Sequence, residues 1–123
     1  RVPVDKVASY YPRASVFCLP SRLEPFGIVC VEAYMHKIPV VASLIGALPD
    51  FIDEGKSGRL VDPTNTSQFA AALIELIEDP DKCRRFGETG YQTVKSRYTW
   101  DAVGVRLRDE IKAALNSPRA TKP

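Results

Sequence analysis

The sequence has 123 residues, of which 45% are apolar and 26% are charged, so it is long enough for one domain with a packed core and too short for two. The net charge of +2 comes from 17 basic and 15 acidic residues spread along the chain, which disfavours a nucleic-acid-binding protein. No apolar stretch is long enough to cross a bilayer and the N-terminus has no signal-peptide pattern, so we expect a soluble, cytoplasmic protein.

Apolar periodicity and turn residues predict, in chain order, a helix over 2–12, a strand over 15–19, a helix over 27–36, a strand over 39–43, a short helix over 48–53, a strand over 59–61 and three helices over 66–78, 80–96 and 100–115. Asn65 and Thr66 are candidate caps for the first of these three helices, and Thr99 is one for the last. Strands that alternate with helices indicate a parallel sheet covered on both faces, so the predicted fold class is α/β.

The exposed surface of the last predicted helix has two alternative interpretations. Its mixed basic and acidic surface is compatible with a position against a membrane, which would make the full-length protein peripheral to that membrane. The favoured interpretation is a solvated helix that packs on the domain through Val103, Leu107 and Ile111.

The cysteines and the single histidine do not form a recognisable reactive centre. Cys18, Cys30 and Cys83 are an odd number with no close pair, which fits neither a disulfide framework nor a zinc site. Cys18 and Cys30 lie within apolar runs, so we expect both to be buried. His36 has no partner in a known catalytic motif and is interpreted as a surface or packing residue at a helix end.

The stretch PSRLEPFG joins the first strand to the following helix, at the carboxyl edge where open parallel sheets bind ligands. The amides of Phe26, Gly27 and Ile28 would be donors without partners at the helix N-terminus. Together with the positive end of the helix dipole, they suit a phosphate or diphosphate. Gly27 would let such a ligand approach the main chain closely.

Two carboxylates accompany this predicted anion site. Glu24 precedes the amides, and Glu32 follows Ile28 by four residues, which places it on about the same face of the helix. Carboxylates are poor phosphate ligands but good acceptors for sugar hydroxyls, so the spacing favours a nucleoside diphosphate sugar. On spacing alone, an exposed turn residue at 24 and an exposed helix position at 32 are an equally good interpretation.

Several further segments of the sequence belong to the same pattern: ASVFCLPS at 14–21, EPFG at 24–27, Glu32-Ala33, PVVAS at 39–43, Gly46, Leu48-Pro49, GRLV at 58–61 and YTW at 98–100. Together they resemble the C-terminal domain of the family 4 (group 1) glycosyltransferases, which have the GT-B fold. The resemblance covers nearly the whole chain. The two acids separated by seven residues, combined with EPFG and PVVAS, make it specific.

The resemblance implies a retaining transferase that moves a sugar from a UDP-, GDP- or ADP-linked donor to an acceptor, with neither a metal nor a prosthetic group as cofactor. Carried over residue by residue, Glu24 contacts the donor sugar and is the candidate catalytic residue. The amides of Phe26, Gly27 and Ile28 contact the sugar and the diphosphate, and Glu32 binds the ribose hydroxyls. In the family's expected mechanism, the leaving diphosphate helps to deprotonate the acceptor while fixed charges stabilise it.

Two positions depart from the family's usual pattern. Lys37 stands where a glycine usually follows the helix, so we expect this helix end to close without the favoured left-handed glycine. Gly46-Ala47 stands where the family usually has two glycines, which would alter the loop near the donor.

The resemblance also implies parts that have no counterpart in this sequence: an acceptor-binding N-terminal domain, and basic residues that neutralise the diphosphate. We therefore interpret residues 1–116 as the C-terminal part of a donor-binding domain with a partial, Rossmann-like sheet of about three strands, inactive on its own, and 117–123 as a tail. The first strand would have an unpaired edge, so dimerisation through this edge is a further hypothesis.

Other function classes stay open at this point. A non-catalytic sugar-nucleotide binding or interaction module would retain the same fold, and so would a GT-B epimerase or phosphorylase. A nicotinamide-dependent Rossmann enzyme is disfavoured because no Gly-x-Gly-x-x-Gly follows a strand. The sequence does not identify the base of the donor, its sugar or the acceptor.

Overall fold

The computed structural model describes residues 2–116, and its strands and main helices follow one another in the predicted order. They are α1 (Val4–Val7), a 3-10 turn (Tyr11–Arg13), β1 (Phe17–Leu19), α2 (Ile28–Met35), β2 (Val40–Ser43), a 3-10 turn (Leu48–Asp50), β3 (Gly58–Val61), α3 (Thr66–Glu78), α4 (Pro80–Arg97) and α5 (Trp100–Asn116). The three strands form one parallel sheet in the order β1-β2-β3, with Phe17 opposite Val40 and Val40 opposite Gly58.

Both faces of the sheet are covered, because successive side chains of β2 point to opposite sides. Val40 and Ala42 pack into a core formed mainly with α2, which contributes the fully buried Tyr34. Val41 packs into a second core on the other face, where α3 and the start of α4 contribute Leu76 and other apolar side chains. The predicted α/β sheet of about three strands with helices on both faces is therefore confirmed.

The helix predicted over 2–12 is wrong in its extent. A helix of one turn ends at Val7, and a separate 3-10 turn follows at Tyr11–Arg13, where Ala14 N donates to Tyr11 O at 2.9 Å. Pro12 lies at the start of that turn, where its missing N–H costs no hydrogen bond. The short helix predicted over 48–53 is likewise only a 3-10 turn.

Side chains cap the N-termini of α3, α4 and α5, and the caps of α3 and α5 are predicted ones. Asn65 accepts a hydrogen bond from Gln68 N at 3.0 Å at the start of α3, and Thr99 Oγ1 accepts one from Ala102 N at 3.3 Å at the start of α5. Asp79, which was not predicted as a cap, caps α4 in the same way.

Lys37 closes the C-terminus of α2 by adopting the left-handed conformation itself, with φ of 59°. Its amide donates to Tyr34 O at 2.9 Å, and the amide of Ile38 donates to Ala33 O at 3.0 Å, which is the Schellman pattern. The side chain of Lys37 also pairs with Glu88 at 2.8 Å. As expected, this helix end closes without a glycine, because Lys37 itself adopts the left-handed conformation.

Two predictions of burial are wrong. Cys18 is exposed, because alternation along the edge strand β1 turns it away from the core that takes Phe17 and Leu19. In α5, Leu107 and Ile111 are 59% and 51% exposed, because this helix packs mainly on α4 and only its beginning is partly covered.

Within residues 2–116, no helix combines the length and the apolar character needed to span a membrane. The tail predicted at 117–123 lies outside the described residues. Cys30 is fully buried, as predicted.

Candidate functional site

The loop between β1 and α2 is fixed at the carboxyl edge of the sheet by the loop that follows β2. Ala47 N donates to Pro25 O at 3.3 Å. A Cβ atom at Gly46 would lie 1.9 Å from the carbonyl oxygen of Glu24, and Gly46 has φ of +53°. Only a glycine allows this close approach, so the Gly-Ala pair retains the glycine that the contact requires.

Gly27 starts α2 in a left-handed conformation with φ of +88°. Its carbonyl accepts hydrogen bonds from Cys30 N at 2.9 Å and from Val31 N at 3.4 Å. A side chain at this position would collide with Leu48, since a Cβ atom would lie 2.4 Å from its Cδ2. Both glycines therefore set the path of the chain into α2.

An aromatic cluster anchors the same loop to the C-terminal end of α4. The ring centroid of Phe26 lies 5.5 Å from that of Phe51 and 5.8 Å from that of Tyr98, and the last two rings are 5.7 Å apart. Edge-on and tilted contacts of this kind stabilise beyond the burial of apolar area. Phe51 and Tyr98 are far from Phe26 in the sequence, so no local pattern connects them with the site, although Tyr98 belongs to the YTW segment.

The carboxylate of Glu24 turns onto the backbone of its own loop. Its Oε1 accepts hydrogen bonds from Gly27 N at 2.9 Å and from Phe26 N at 3.3 Å. Two of the three amides predicted to bind a ligand are thus engaged by Glu24. The amides of Ile28 and Val29, in the first turn of α2, have no acceptor among residues 2–116.

Cys30 lies one turn into α2, fully buried behind this loop. Burial raises the pKa of its thiol to about 12, and the nearby charge of Glu24 acts in the same direction. The thiol is therefore protonated at neutral pH and packs as a small apolar group, as predicted for a cysteine within an apolar run.

Glu32 lies about one turn after Ile28 on α2 and is exposed to solvent, but one of its oxygens has a partner from a distant part of the chain. Tyr11 Oη donates a hydrogen bond to Glu32 Oε2 at 2.7 Å. Burial, and then the hydrogen bond to Glu32 and its charge, raise the pKa of Tyr11 above the usual tyrosine range. The ring of His36 stacks on that of Tyr11, so His36 is a packing residue at the end of α2, as predicted.

The charges of the site are not neutralised locally. No lysine or arginine within residues 2–116 forms an ion pair with Glu24 or Glu32. In the same residues, no group of three His, Cys, Asp or Glu side chains is placed to hold a metal ion. The arrangement offers free amides for an anion and carboxylate oxygens for hydroxyl groups.

The family model of the group 1 glycosyl transferases matches residues 1–93, which is most of the chain. The chain belongs to this family. A D-inositol 3-phosphate glycosyltransferase of Corynebacterium kroppenstedtii is 38% identical over 113 residues, which are 92% of this chain and 25% of that protein. This member of the group 1 glycosyl transferases thus spans about a quarter of the length of such curated relatives.

Solved structures show the same fold. Sucrose-phosphate synthase from Thermosynechococcus elongatus superimposes with a TM-score of 0.82 at 30% identity, covering 94% of this chain and 29% of that one. Anabaena HepE in complex with UDP has a TM-score of 0.82 at 22% identity, covering 90% and 30% of the two chains, and this likeness shows the fold alone. The predicted GT-B type of α/β fold is confirmed.

Proposed function

We propose that this chain is the donor-binding part of a retaining glycosyltransferase, which transfers a sugar from a nucleoside diphosphate sugar to an acceptor. One observation carries the proposal: two carboxylates, Glu24 and Glu32, accompany the free amides of Ile28 and Val29 at the carboxyl edge of a parallel sheet. The names of the relatives and the UDP bound by HepE support the same class of substrate.

The diphosphate binds at the start of α2. The amides of Ile28 and Val29 have no other acceptor, and the positive end of the helix dipole favours an anion there. The amides of Phe26 and Gly27 join them when the carboxylate of Glu24 moves off them. In this proposal a donor phosphate or sugar oxygen replaces the oxygen of Glu24, and the displaced carboxylate accepts hydrogen bonds from the hydroxyls of the transferred sugar.

Glu32 binds the ribose hydroxyls. It lies about 6 Å along the helix axis from Ile28, which is about the distance from a phosphate to its ribose. One carboxylate oxygen is held by Tyr11, and the other has no partner among residues 2–116. A carboxylate with an accessible oxygen accepts hydrogen bonds from a vicinal diol, and such charged bonds contribute about 1.5–3 kcal/mol each.

The remainder of the site belongs to the protein beyond this chain. Because the chain spans about a quarter of its relatives' length, we propose that an N-terminal domain supplies the acceptor site. We propose that the same missing part supplies the basic groups that stabilise the leaving diphosphate, as the resemblance to the family implies. We expect no metal or prosthetic group, a cytoplasmic location, and no transfer by the chain alone.

The free edge of β1 is the place where this missing part, or a second copy of the chain, attaches. Within residues 2–116, β1 pairs only with β2, and Cys18 is exposed beside the open edge. Sedimentation of the 123-residue chain at several concentrations tests the second alternative, because a dimer through this edge dissociates on dilution. A monomer at every concentration excludes the dimer.

Calorimetric titration of the full-length protein with UDP, GDP and ADP, each free and linked to glucose or mannose, tests the proposed donor site. We expect one base to be preferred, and Glu32→Gln to weaken its binding by about tenfold or more. Glu78→Gln is the matched control, because this exposed glutamate ends α3, away from the carboxyl edge. A folded protein that binds none of the nucleotides would contradict the proposal.

A transfer assay separates the catalytic proposal from a non-catalytic module. We expect the full-length protein to transfer the sugar of the donor that it binds, with retention of configuration, to a sugar or polyol acceptor. A protein that binds the donor, but transfers its sugar to no acceptor and does not hydrolyse it, would favour the sugar-nucleotide binding module instead.

A further inference from the structure

We propose that Tyr11 is the positioning residue of the donor site: it holds one oxygen of Glu32 so that the carboxylate is already oriented for a ribose diol. The inference rests on the proposed function of Glu32. It adds a residue outside the segment from Glu24 to Glu32, contributed by the 3-10 turn that precedes β1.

The hydrogen bond between the two side chains is short and connects parts of the chain that are 21 residues apart. Tyr11 Oη lies 2.7 Å from Glu32 Oε2 and 3.4 Å from the carbonyl oxygen of Val29. A hydroxyl has one hydrogen to donate, and the closer, charged acceptor receives it. The phenol therefore donates to Glu32 and leaves Oε1 available.

The tyrosine ring is fixed independently of Glu32. It is 6% exposed. It stacks on the ring of His36 with centroids 5.1 Å apart and planes 9° apart, and it contacts Phe17 at a centroid distance of 6.0 Å. The core thus determines where the hydroxyl lies, and the hydroxyl determines where one oxygen of the exposed carboxylate lies.

Fixing Glu32 in advance favours ligand binding. An exposed glutamate loses much of its rotamer freedom when it orders on a ligand, and this entropy cost weakens binding. The pair also borders an open, mostly apolar cavity of about 500 Å³, lined by residues such as Val29 and Met35, so a ligand can reach the carboxylate. Tyr11 therefore reduces the cost of ordering at a position that is accessible from solvent.

The test compares ribonucleotides with nucleotides that lack the diol, in the full-length protein. UDP, GDP and ADP and their 2′,3′-dideoxy counterparts are titrated against the native protein, Tyr11→Phe, Glu32→Gln and the double variant. We expect Tyr11→Phe to weaken binding of the preferred ribonucleotide about fivefold and to leave the dideoxy nucleotide unchanged. The double variant should bind no more weakly than Glu32→Gln alone, because the phenol acts through the carboxylate.

Tyr34→Phe is the control for the loss of a buried tyrosine hydroxyl. Tyr34 Oη donates to Ser57 Oγ at 3.1 Å in the core, and within residues 2–116 it forms no hydrogen bond with Glu32. This variant should change the affinity for neither the ribonucleotides nor the dideoxy nucleotides. Both nucleotides are titrated against the same sample, so the ratio of their Kd values does not depend on the fraction of protein that is folded.

The outcomes separate the inference from the proposed function. Equal weakening of both nucleotide classes by Tyr11→Phe would mean that the hydrogen bond only supports the fold, which overturns the inference. If Tyr11→Phe binds the ribonucleotide as tightly as the native protein while Glu32→Gln does not bind it, the positioning role of Tyr11 is overturned. The ribose role of Glu32 is then unaffected. A native protein that does not distinguish the two classes would refute that ribose role, and the inference with it.

Discussion

Glu24 and Glu32 are eight residues apart and chemically identical, yet the structure holds them in opposite ways. Glu24 lies in a loop, and its carboxylate accepts hydrogen bonds from amides two and three residues later in the chain. Glu32 lies on a helix, and its partner is a phenol from a distant turn. The first carboxylate is engaged by local backbone groups and the second by a side chain that the core has fixed.

If a donor binds as proposed, the partners of the two acids indicate which one has to move. The amides that hold Glu24 are also the groups that a phosphate or sugar oxygen would use, so ligand and carboxylate compete for them. The phenol that holds Glu32 takes one oxygen and leaves the other free. We therefore expect Glu24 to change its partners on binding and Glu32 to keep its position.

Among the substitutions that test this comparison, Gly46→Ala should have the largest effect on stability, because Gly46 fixes the loop that carries Glu24. The new Cβ atom would lie 1.9 Å from the carbonyl oxygen of Glu24, in a left-handed conformation that alanine disfavours. We expect the free energy of unfolding to fall by about 2–4 kcal/mol. Urea denaturation of the native chain and the variant measures it.

Gly104→Ala is the matched control for this substitution. Gly104 lies within α5, and a Cβ atom there would meet nothing within 4 Å. Alanine is the better helix former, so we expect stabilisation of about 0.5–1 kcal/mol. If Gly46→Ala unfolds at the same urea concentration as the native chain, the loop of Glu24 is not fixed by this close approach.

The two acids should also differ in what their removal does to binding by the full-length protein. Glu32→Gln should weaken the free nucleoside diphosphate and the sugar-linked donor together, by about tenfold or more. Glu24→Gln should weaken chiefly the sugar-linked donor. It should leave the free diphosphate unchanged or tighter, because a neutral amide competes less well for the amides of Phe26 and Gly27. Calorimetry with both ligands decides this, and equal losses of both ligands in both variants would contradict the division of roles.

The ionisation of Tyr11 provides a test that needs no ligand. Burial comes first among the causes that raise its pKa, followed by the hydrogen bond to Glu32 and its charge. Glu32→Gln should therefore lower the pKa of Tyr11 while leaving it above the usual tyrosine range. Ultraviolet absorbance of tyrosinate measures it, with Tyr11→Phe to assign the signal.

The sign of the accompanying stability change follows from the raised pKa. The folded state favours the protonated phenol, so its contribution is complete below the ordinary tyrosine pKa and is lost as the pH rises through the raised value. Glu32→Gln lowers the folded-state pKa, so the loss should still begin at the ordinary tyrosine pKa but should be smaller and complete at a lower pH. An unchanged alkaline titration would show that the carboxylate does not interact with Tyr11 in solution.

Much of the fold could be predicted because local signals were sufficient. The helix Thr66–Glu78 has the predicted bounds, since its apolar period and its cap Asn65 are both written in adjacent residues. The exposure of Cys18 and of Leu107 could not be predicted in this way. It depends on which surfaces find a partner in the folded chain, and apolar residues look the same in sequence whether or not they are covered.

The position of the candidate segment in the fold could be predicted, but its side-chain contacts could not. The segment from Glu24 to Glu32 carries its own geometry as a loop followed by a helix, and the structure places it at the expected edge of the sheet. The bond from Tyr11 to Glu32 joins residues on separate elements, so no local pattern encodes it. The turn of Glu24 onto its own amides depends on a side-chain rotamer that sequence spacing does not determine.

The last prediction concerns the C-terminal end of α2 and has the weakest expected effect. It tests whether this end of the helix helps to position Glu32. Lys37→Gly relieves the left-handed conformation of a residue with a side chain, but it removes the ion pair with Glu88. Exposed pairs contribute little, so we expect the backbone effect to dominate and Tm to rise by about 3 °C. Glu88→Gln, which removes the pair and keeps the lysine, should leave Tm nearly unchanged.

Nucleotide binding should be the same in both variants, because the carboxylate of Glu32 is held by Tyr11 and not by the end of the helix. A loss of binding in Lys37→Gly would show instead that the whole of α2 positions this acid.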